Sequence, residues 1–382
     1  MKKIGIFGGT FNPVHSEHVK IVCSAIEELQ LDKVVVMPTC ISPHKNSTPA
    51  PAEDRLNMLK LAFQGIDKVE ISDFEISNGG KSYTYLTVEH FKKTTDAHLF
   101  LIVGGDMLKD FKNWKYPQRI LNACDLCAFV RQDLANDFYK EKEYFNKNFN
   151  KQFTLLKYVP QPFSSTEIRI YNSLNLNIEN YVSKQVAAYI KAKKLYCGQR
   201  FEEFIQKTLP EKRLIHTANV VVTALKKAKE LNLDVEQVKT AALLHDCAKY
   251  IDYKTVNGFN LPKDVPAPVV HAFLGAYICE KVLKIDDVEI LDAIKYHTSG
   301  KANMSKLSKL IFVADMIEKD RDYLGVDKLR ELYDENFELC FHKCLEEEFT
   351  HLINKKSVIY FETINAFNYY IKNKKGNNNG KE

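Results

Sequence analysis

The chain has 382 residues, 45% of them apolar, which is enough for two hydrophobic cores of about 150–200 residues each. Its 54 basic and 49 acidic residues leave a formal net charge of +5, and both signs are interspersed almost throughout. This balance argues against a nucleic-acid-binding protein, which would need a basic face with interleaved aromatic residues. Basic residues confined to pockets would instead suit small polyphosphates.

The N-terminal residues MKKIGIFGGTF lack the long apolar stretch and the small-residue cleavage site of a signal peptide, so they predict a first β-strand. No apolar run approaches the roughly 20 residues that span a bilayer. Nine cysteines without an export signal predict reduced thiols. We therefore expect a cytoplasmic protein without membrane contact, and the sequence leaves open whether it forms a homo-oligomer.

In chain order, the first half of the sequence alternates between strands and helices. Strand-like runs occur at KIGIFG, KVVVMP, KVEIS, HLFLIVG, DLCAFV and FTLLKYV. Helical patterns begin near Ser16, Ala52, Tyr83 and Met107. Because helical crossovers join parallel strands, this alternation predicts an α/β domain with a parallel sheet covered on both faces.

Beyond about Ser164 the strand signals end. From there to Phe367, apolar residues at three- and four-residue spacing predict successive helices. The second half is therefore predicted to be all-α. A basic turn followed by Gly198 marks the end of one helix, so we predict domains of residues 1–197 and 198–370. The last residues, 371–382, are predicted to be a disordered tail.

One Cys-x-x-Cys pair, Cys124 and Cys127, lies in the strand-like run CDLCAFV. It has no second pair and does not stand at a helix N-terminus, where a thiolate would be stabilised. Two packed strand residues are the favoured interpretation, and a redox or zinc role is the less favoured one.

The first candidate site lies in GIFGGTFNPVHSEH, where a strand runs into Gly8, Gly9 and Thr10. Glycines let the backbone approach a phosphate, and the free N–H groups of a helix N-terminus attract anions. His15 and His18 begin the next helix one turn apart, so both imidazoles can donate to the same phosphate oxygens. The combination predicts a phosphate site.

The segment FSSTEIR looks like the second half of that site. Ser164, Ser165 or Thr166 can cap the following helix, and Arg169 would lie about one turn inside it. Hydroxyls, N–H dipoles and a guanidinium would then converge on one anion. An ordinary capped surface helix is the alternative.

GGTFNPVHSEH together with FSSTEIR resembles the nucleotidyltransferase superfamily with a Rossmann-like fold. Within it, MPTCISPHK, SYTYLT and LIVGGDMLKDFKNW resemble nicotinate mononucleotide adenylyltransferase, which joins nicotinate mononucleotide to the AMP of ATP and releases pyrophosphate. The resemblance covers roughly Met1 to Tyr196. The chain departs from the family at Glu17, where the family usually has Gly, and at Asn12, which is often Asp.

The resemblance also implies roles for individual residues. The mononucleotide phosphate would attack the α-phosphorus of ATP in line, while catalytic residues and Mg²⁺ neutralise the developing charge. The indole of Trp114 would suit stacking on a pyridine ring, with Thr84 nearby. The implied catalytic residues are His15, His18 and Arg169, and the implied ATP-binding residues are Gly8, Gly9, Thr10, Phe11, Lys45, Asp106, Ser165 and Thr166.

The second candidate site is a set of polar groups that each end or interrupt a buried helical face. A lone histidine on a helix is more often a core or surface residue than a ligand. Buried imidazoles and carboxylates are costly unless they are paired or bound to metal, and metal explains several at once. The six groups are His216, His245, Asp246, His271, His297 and Asp315.

The strings LLHDCAKYI, HAFLGA and AIKYHTSGKANMSKLSKLIFVADMIEKDRDYLGV resemble the HD-domain phosphohydrolases, and specifically the YqeK family, from roughly Arg200 to Leu345. The resemblance implies symmetrical hydrolysis of diadenosine tetraphosphate to two ADP. Six ligands with Asp246 as a bridge suit two metal ions roughly 3.5–4 Å apart. Imidazole and carboxylate ligands fit iron, the favoured metal, and also manganese or zinc.

Cations near these ligands are further candidates. Lys249 lies one helical turn after His245 and can hold a phosphate as a catalytic residue, and Arg321 lies six residues beyond Asp315 and can meet the leaving group. Solvated charges are the alternative for both. Arg213 and Lys301 are weaker candidates.

Rival interpretations remain open from the sequence. The first half could be a nicotinamide-preferring or pantetheine-type transferase, although SYTYLT and the tryptophan loop favour a pyridine substrate. The second half could hydrolyse another nucleotide phosphate, or could be a non-catalytic nucleotide sensor. A complete set of six metal-binding groups argues against the sensor.

Overall fold

A computed structural model of the chain describes residues 1–41, 50–129 and 138–376. The chain forms two compact units. The N-terminal unit comprises Met1–Arg169 and Asn177–Tyr196, and the C-terminal unit comprises Ile170–Leu176 and Cys197–Glu382. The predicted boundary placed residues 170–176 in the first domain. They belong to the C-terminal unit because Tyr171 is buried and donates a hydrogen bond to Asn219.

The N-terminal unit contains a six-stranded sheet in the order β3-β2-β1-β4-β5-β6, and every strand pair is parallel. Apolar residues dominate the central strands, as expected where both faces of a sheet are covered. The predicted α/β class is confirmed, and each predicted strand-like run contains a strand. The strands are β1 (Lys3–Gly9), β2 (Lys33–Pro38), β3 (Val69–Ile71), β4 (His98–Gly104), β5 (Asp125–Phe129) and β6 (Phe153–Leu156).

The helices of the first 196 residues connect or follow these strands. Helices begin at Ser16 and Ala52 as predicted, and two others begin at Thr84 and Gly105, within two residues of the predicted starts; the short helix at Phe74 was not predicted. A 3-10 turn spans Phe111–Asn113. The helices are α1 (Ser16–Leu29), α2 (Ala52–Ala62), α3 (Phe74–Ser77), α4 (Thr84–Thr94), α5 (Gly105–Asp110), α6 (Pro117–Ala123), α7 (Phe138–Phe149), α8 (Ser165–Ser173) and α9 (Lys184–Ala192).

The strand order positions the first candidate site. The chain proceeds from β1 to β2 on one side and later returns to place β4 on the other side of β1. Ligands of open α/β sheets bind at the carboxyl ends of the strands where the order reverses. The loop that follows Gly9 of β1 and the N-terminus of α5, which directly follows Gly104 of β4, lie at this edge.

The Cys-x-x-Cys pair differs partly from its prediction. Cys127 lies in β5, but Cys124 is the C-cap of α6 and precedes the strand. Both thiols are buried, and burial raises the pKa of each to about 12. They pack as thiols at the α6–β5 corner.

The C-terminal unit is all-α, as predicted. Helices α11, α12, α14 and α15 pack against one another around its core, and α13 packs against α14. Helix α18 continues to Gly376, so the segment predicted as a disordered tail begins as helix. The helices are α10 (Arg200–Thr208), α11 (Glu211–Ala228), α12 (Val235–Leu244), α13 (Val270–Lys281), α14 (Val288–Tyr296), α15 (Lys306–Ile317), α16 (Val326–Glu335), α17 (Phe337–Asn354) and α18 (Phe361–Gly376).

Within the described part of the chain, no helix combines the length and the apolar character that crossing a membrane requires.

Candidate active sites

The first site is built around the two histidines at the start of α1. His15 is the N-cap residue, and its ring stacks on that of His18 with centroids 3.6 Å apart. Nδ1 of His18 accepts a hydrogen bond from the backbone N–H of His15 at 3.1 Å, so the proton of a neutral His18 lies on Nε2. Burial lowers the pKa of His15 to about 4, although nearby Glu17 opposes this shift.

The Nδ1 atom of His15 is buried and has no hydrogen-bond partner among the described residues. Buried polar atoms are nearly always satisfied, so such an atom beside a glycine-rich turn indicates a ligand site. The two stacked imidazoles therefore bring an unsatisfied nitrogen of His15 to the start of α1.

Helix α8 meets the loop between β1 and α1. Ser164 caps the helix, because its Oγ accepts from the backbone N–H of Glu167 at 3.3 Å. Ser165 donates through Oγ to the carbonyl oxygen of Pro13 at 2.9 Å. Arg169 donates through Nη1 to the carbonyl oxygen of Asn12 at 2.7 Å and through Nη2 to Oγ1 of Thr166 at 3.0 Å. The structure therefore brings the FSSTEIR segment against the loop that leads into the paired histidines.

A buried arginine that the sequence analysis missed lies beneath the same loop. Arg55, in the first turn of α2, is 1% exposed and donates to the carbonyl oxygens of Thr10 at 3.0 Å, Thr39 at 2.7 Å and Ala50 at 3.0 Å. Among the described residues, neither Arg55 nor Arg169 forms a salt bridge. Both guanidinium groups thus bring positive charge to the site without a carboxylate to neutralise it.

Glu17, which departs from the family pattern, is buried, and its carboxylate accepts several hydrogen bonds. Its carboxylate accepts from the Tyr158 hydroxyl at 2.7 Å, the Gln161 backbone N–H at 2.9 Å and Nζ of Lys20 at 2.8 Å. Burial alone would raise the pKa of Glu17, but these hydrogen bonds lower it. The extra carboxylate therefore anchors the segment after β6 onto α1.

Other predicted residues of this site lie on α4, on α5 and in the segment after α5. Asp106 is exposed in the first turn of α5, at the carboxyl edge of β4. Thr84 is the first residue of α4. Trp114 is 9% exposed and packs on Phe111, with centroids 5.2 Å apart. Lys45 lies outside the described residues.

In the C-terminal unit, the six predicted ligands converge from five helical segments. His216 lies within α11, His245 and Asp246 follow α12, and His271 lies in the first turn of α13. His297 caps α14 and Asp315 lies in the last turns of α15. Three groups have ligand atoms within 4.8 Å of one another: His216–His245–Asp246, His245–His297–Asp315 and Asp246–His271–His297.

Asp246 lies between two pairs of imidazoles. Its Oδ1 is 3.0 Å from Nε2 of His271 and 3.5 Å from Nε2 of His297. Its Oδ2 is 3.7 Å from Nε2 of His245 and 4.0 Å from Nε2 of His216. Each oxygen of the Asp246 carboxylate thus faces a different pair of imidazoles.

Hydrogen bonds orient the imidazoles for metal binding. His245 and His297 each donate through Nδ1 to the carbonyl oxygen three residues earlier, of Ala242 and Ile294, at 2.7 Å. Their Nε2 atoms are therefore unprotonated and directed to the centre. Burial lowers the pKa of His245 to about 3, which keeps this candidate ligand neutral. Divalent metal ions fit this donor set of imidazoles and carboxylates.

Three basic side chains lie beside the carboxylates of Asp246 and Asp315. Nζ of Lys249 lies 3.0 Å from Nε2 of His271 and 3.5 Å from Oδ1 of Asp246. Arg213, a weak candidate in the sequence, lies with Nη1 2.9 Å from Oδ2 of Asp246. Arg321 pairs with the carboxylate of Asp315 and donates to its carbonyl oxygen at 2.8 Å.

The residues around His216 were not predicted from the sequence. Nδ1 of His216 lies 3.1 Å from Oε1 of Glu318. Burial alone would lower the pKa of His216, but its hydrogen bonds to Asp315 and Glu318 raise it. Glu318 was detectable only as a carboxylate three residues after a candidate ligand, which is a weak signal.

Residues 6–170 match the Cytidylyltransferase-like family, and residues 213–320 match the HD domain family. A Mycoplasma genitalium protein named "Probable nicotinate-nucleotide adenylyltransferase/Ap4A hydrolase" is 30% identical over 327 residues, covering 84% of this chain and 88% of that protein. A Clostridium acetobutylicum protein named "Probable nicotinate-nucleotide adenylyltransferase" is 39% identical over 199 residues, covering 51% of this chain and 100% of that protein.

Among solved structures, a "predicted HD superfamily hydrolase involved in NAD metabolism" from Clostridium acetobutylicum is 33% identical, with a TM-score of 0.42. The match covers 45% of this chain and 96% of that one.

Proposed function

We propose two reactions for this chain, which belongs to the family of nicotinate-nucleotide adenylyltransferases that carry a C-terminal HD domain. The first is the transfer of AMP from ATP to nicotinate mononucleotide, which yields nicotinate adenine dinucleotide and pyrophosphate. The observation that carries this proposal is the meeting of two helix N-termini, α1 with its paired histidines and α8 with Arg169, at the carboxyl edge of β1.

In this reaction, an oxygen of the mononucleotide phosphate attacks the α-phosphorus of ATP, and the bond to the β-phosphate oxygen breaks. The Nε2–H of His18 donates to a phosphate oxygen, and the guanidinium of Arg169 neutralises charge on the departing pyrophosphate. Mg²⁺ bound with the nucleotide would neutralise further phosphate charge. No residue acts as a nucleophile, so positioning and electrostatics supply the catalysis.

The test is incubation of the full chain with ATP and either nicotinate or nicotinamide mononucleotide, followed by chromatography of the products. We expect nicotinate adenine dinucleotide as the main product. His18→Ala should abolish its formation and leave the hydrolysis proposed below intact. Faster turnover of nicotinamide mononucleotide than of nicotinate mononucleotide would make nicotinamide mononucleotide the substrate. If neither compound yields a dinucleotide, the proposed transferase activity is refuted.

The second proposed reaction is hydrolysis of diadenosine tetraphosphate to two ADP. The observation that carries it is the position of Asp246, with one oxygen facing each of two imidazole pairs. Two bound metal ions, with iron favoured and manganese or zinc also suited to these donors, would activate water and neutralise phosphate oxygens. Lys249 and Arg213 lie beside Asp246 and would hold phosphate oxygens that the metals do not bind.

This reaction is tested with diadenosine tetraphosphate in the presence of Fe²⁺ or Mn²⁺ and with metal removed. Two ADP formed only with metal is the expected result, and ATP plus AMP would indicate asymmetrical cleavage. Asp246→Ala should remove hydrolysis and spare dinucleotide synthesis. If no product forms with any metal, the proposed hydrolysis is wrong, and the C-terminal unit acts on another phosphate substrate or senses nucleotides.

We also retain the cytoplasm as the proposed compartment, because all nine cysteines are free thiols, which suits a reducing environment.

A further inference from the structure

A series of hydrogen bonds leads from α8 to one of the candidate metal ligands. The Tyr171 hydroxyl donates to Oδ1 of Asn219 at 2.7 Å. Nδ2 of Asn219 donates to Oε2 of Glu318 at 3.0 Å. Oε1 of Glu318 accepts from Nδ1 of His216 at 3.1 Å. All four side chains are buried, so water cannot easily replace these partners.

The phenol determines the orientation of the Asn219 amide. Because Oδ1 accepts from Tyr171, Nδ2 is directed to Glu318 and also to Oδ2 of Asp320, at 2.8 Å. A flipped amide would place its oxygen against two carboxylates. Tyr171 additionally lies beneath Nζ of Lys319, 5.0 Å from the ring centroid, so it contacts the 318–320 segment from a second direction.

Glu318 in turn determines the tautomer of His216. Its Oε2 accepts from the Asn219 amide and from the backbone N–H of Asp320 at 2.8 Å, which leaves Oε1 for His216. With Nδ1 of His216 engaged by Glu318, Nε2 is the ring nitrogen left to bind a metal ion, and it lies 3.1 Å from Oδ1 of Asp315 and 3.3 Å from Nε2 of His245.

We propose that Tyr171, Asn219 and Glu318 are positioning residues that hold His216 with Nε2 ready to bind a metal ion. The inference rests on metal binding by the C-terminal unit, part of the proposed function, and not on which phosphate ester is hydrolysed. Tyr171 precedes the domain boundary that the sequence predicts. The metal centre therefore depends on a residue from α8, the helix whose first turns carry Ser165, Thr166 and Arg169.

The test measures Mn²⁺ binding to the full-length protein without nucleotide, by electron paramagnetic resonance of free Mn²⁺. Asp246→Asn identifies the ions that belong to this centre. We expect Glu318→Gln to weaken one of two bound ions by about 10–100-fold, as is usual for outer-shell partners of a metal-bound histidine. Tyr171→Phe should weaken the same ion by a smaller factor, while the ion beside His271 and His297 is retained.

Tyr333→Phe is the matched control. Tyr333 is equally buried, and its hydroxyl donates to the carbonyl oxygen of Thr223, on the same helix α11 that carries Asn219 and His216. This variant should bind Mn²⁺ like the wild type. If Tyr171→Phe and Glu318→Gln lower only the melting temperature and leave both Mn²⁺ affinities unchanged, the inference is wrong. If the wild type itself binds no Mn²⁺ that Asp246→Asn removes, the proposed metal centre fails first.

Discussion

Arg169 and Asn12 lie 157 positions apart in the sequence, yet Nη1 of Arg169 donates to the carbonyl oxygen of Asn12 at 2.7 Å. This hydrogen bond joins the start of α8 to the loop that follows β1. The second guanidinium nitrogen is held by Thr166, so the plane of the group is determined from two directions. The charge is left for an anion, since the acceptors are a carbonyl and a hydroxyl.

Replacing Arg169 by Lys should keep the positive charge and lose the two-point attachment. We expect kcat/KM of dinucleotide synthesis to fall by about 10²–10³-fold, the usual effect of losing one charge-stabilising donor. Hydrolysis of diadenosine tetraphosphate should not change. Arg200→Lys, at an exposed position, is the control for the chemical change. An effect confined to hydrolysis would contradict the assignment of Arg169.

The stability of the N-terminal unit should depend on pH through His15. Its folded pKa of about 4 lies below the unfolded value near 6.5, so the folded unit binds fewer protons and is destabilised as pH falls from 6.5 toward 4. Between pH 7 and pH 5.5 the loss should be about 1 kcal/mol.

Urea unfolding followed by fluorescence measures this loss, because Trp114 is the single tryptophan and is buried in this unit. His15→Asn should lack this component of the pH dependence. Identical pH profiles for the wild type and the variant would show that His15 does not titrate with folding.

Removal of metal should destabilise the C-terminal unit selectively. All six candidate ligands lie there, and an ion present at a thousandfold its Kd stabilises a fold by about 4 kcal/mol. Chelation should therefore lower the melting transition seen by circular dichroism at 222 nm and leave the Trp114 fluorescence transition in place. A uniform shift of both transitions, or none, is the result that this prediction does not allow.

Thiol reactivity should follow burial. Cys197 is exposed, whereas Cys124 and Cys127 are buried with pKa values raised to about 12. Their thiolate fraction is then about a thousandfold below that of an ordinary thiol. Titration of the folded protein with Ellman's reagent should show a fast phase that Cys197→Ser removes. Fast reaction of Cys124 or Cys127 in that variant would contradict this prediction and favour a redox role for the pair.

The sequence was sufficient to predict the secondary-structure elements and the chemical types of the candidate metal-binding side chains. Alternation of apolar strands and amphipathic helices is a local pattern, so the six strands and the all-α second half were predictable. The candidate ligands of the C-terminal unit could be recognised in the sequence because residues such as His245 and Asp246 end buried faces, where an unpaired polar group is costly.

The sequence did not predict the roles of four buried side chains, because their residue types are ordinary on a helix surface and their partners are distant in the sequence. These are Arg55, Tyr171, Asn219 and Glu318. What the sequence by itself determined is therefore which secondary structures form and which groups can bind phosphate or metal. Only the tertiary structure decided which oxygen of Asp246 faces which imidazoles and which residues hold His216. Hydrogen bonds act over about 3 Å, and their partners are chosen by packing between helices.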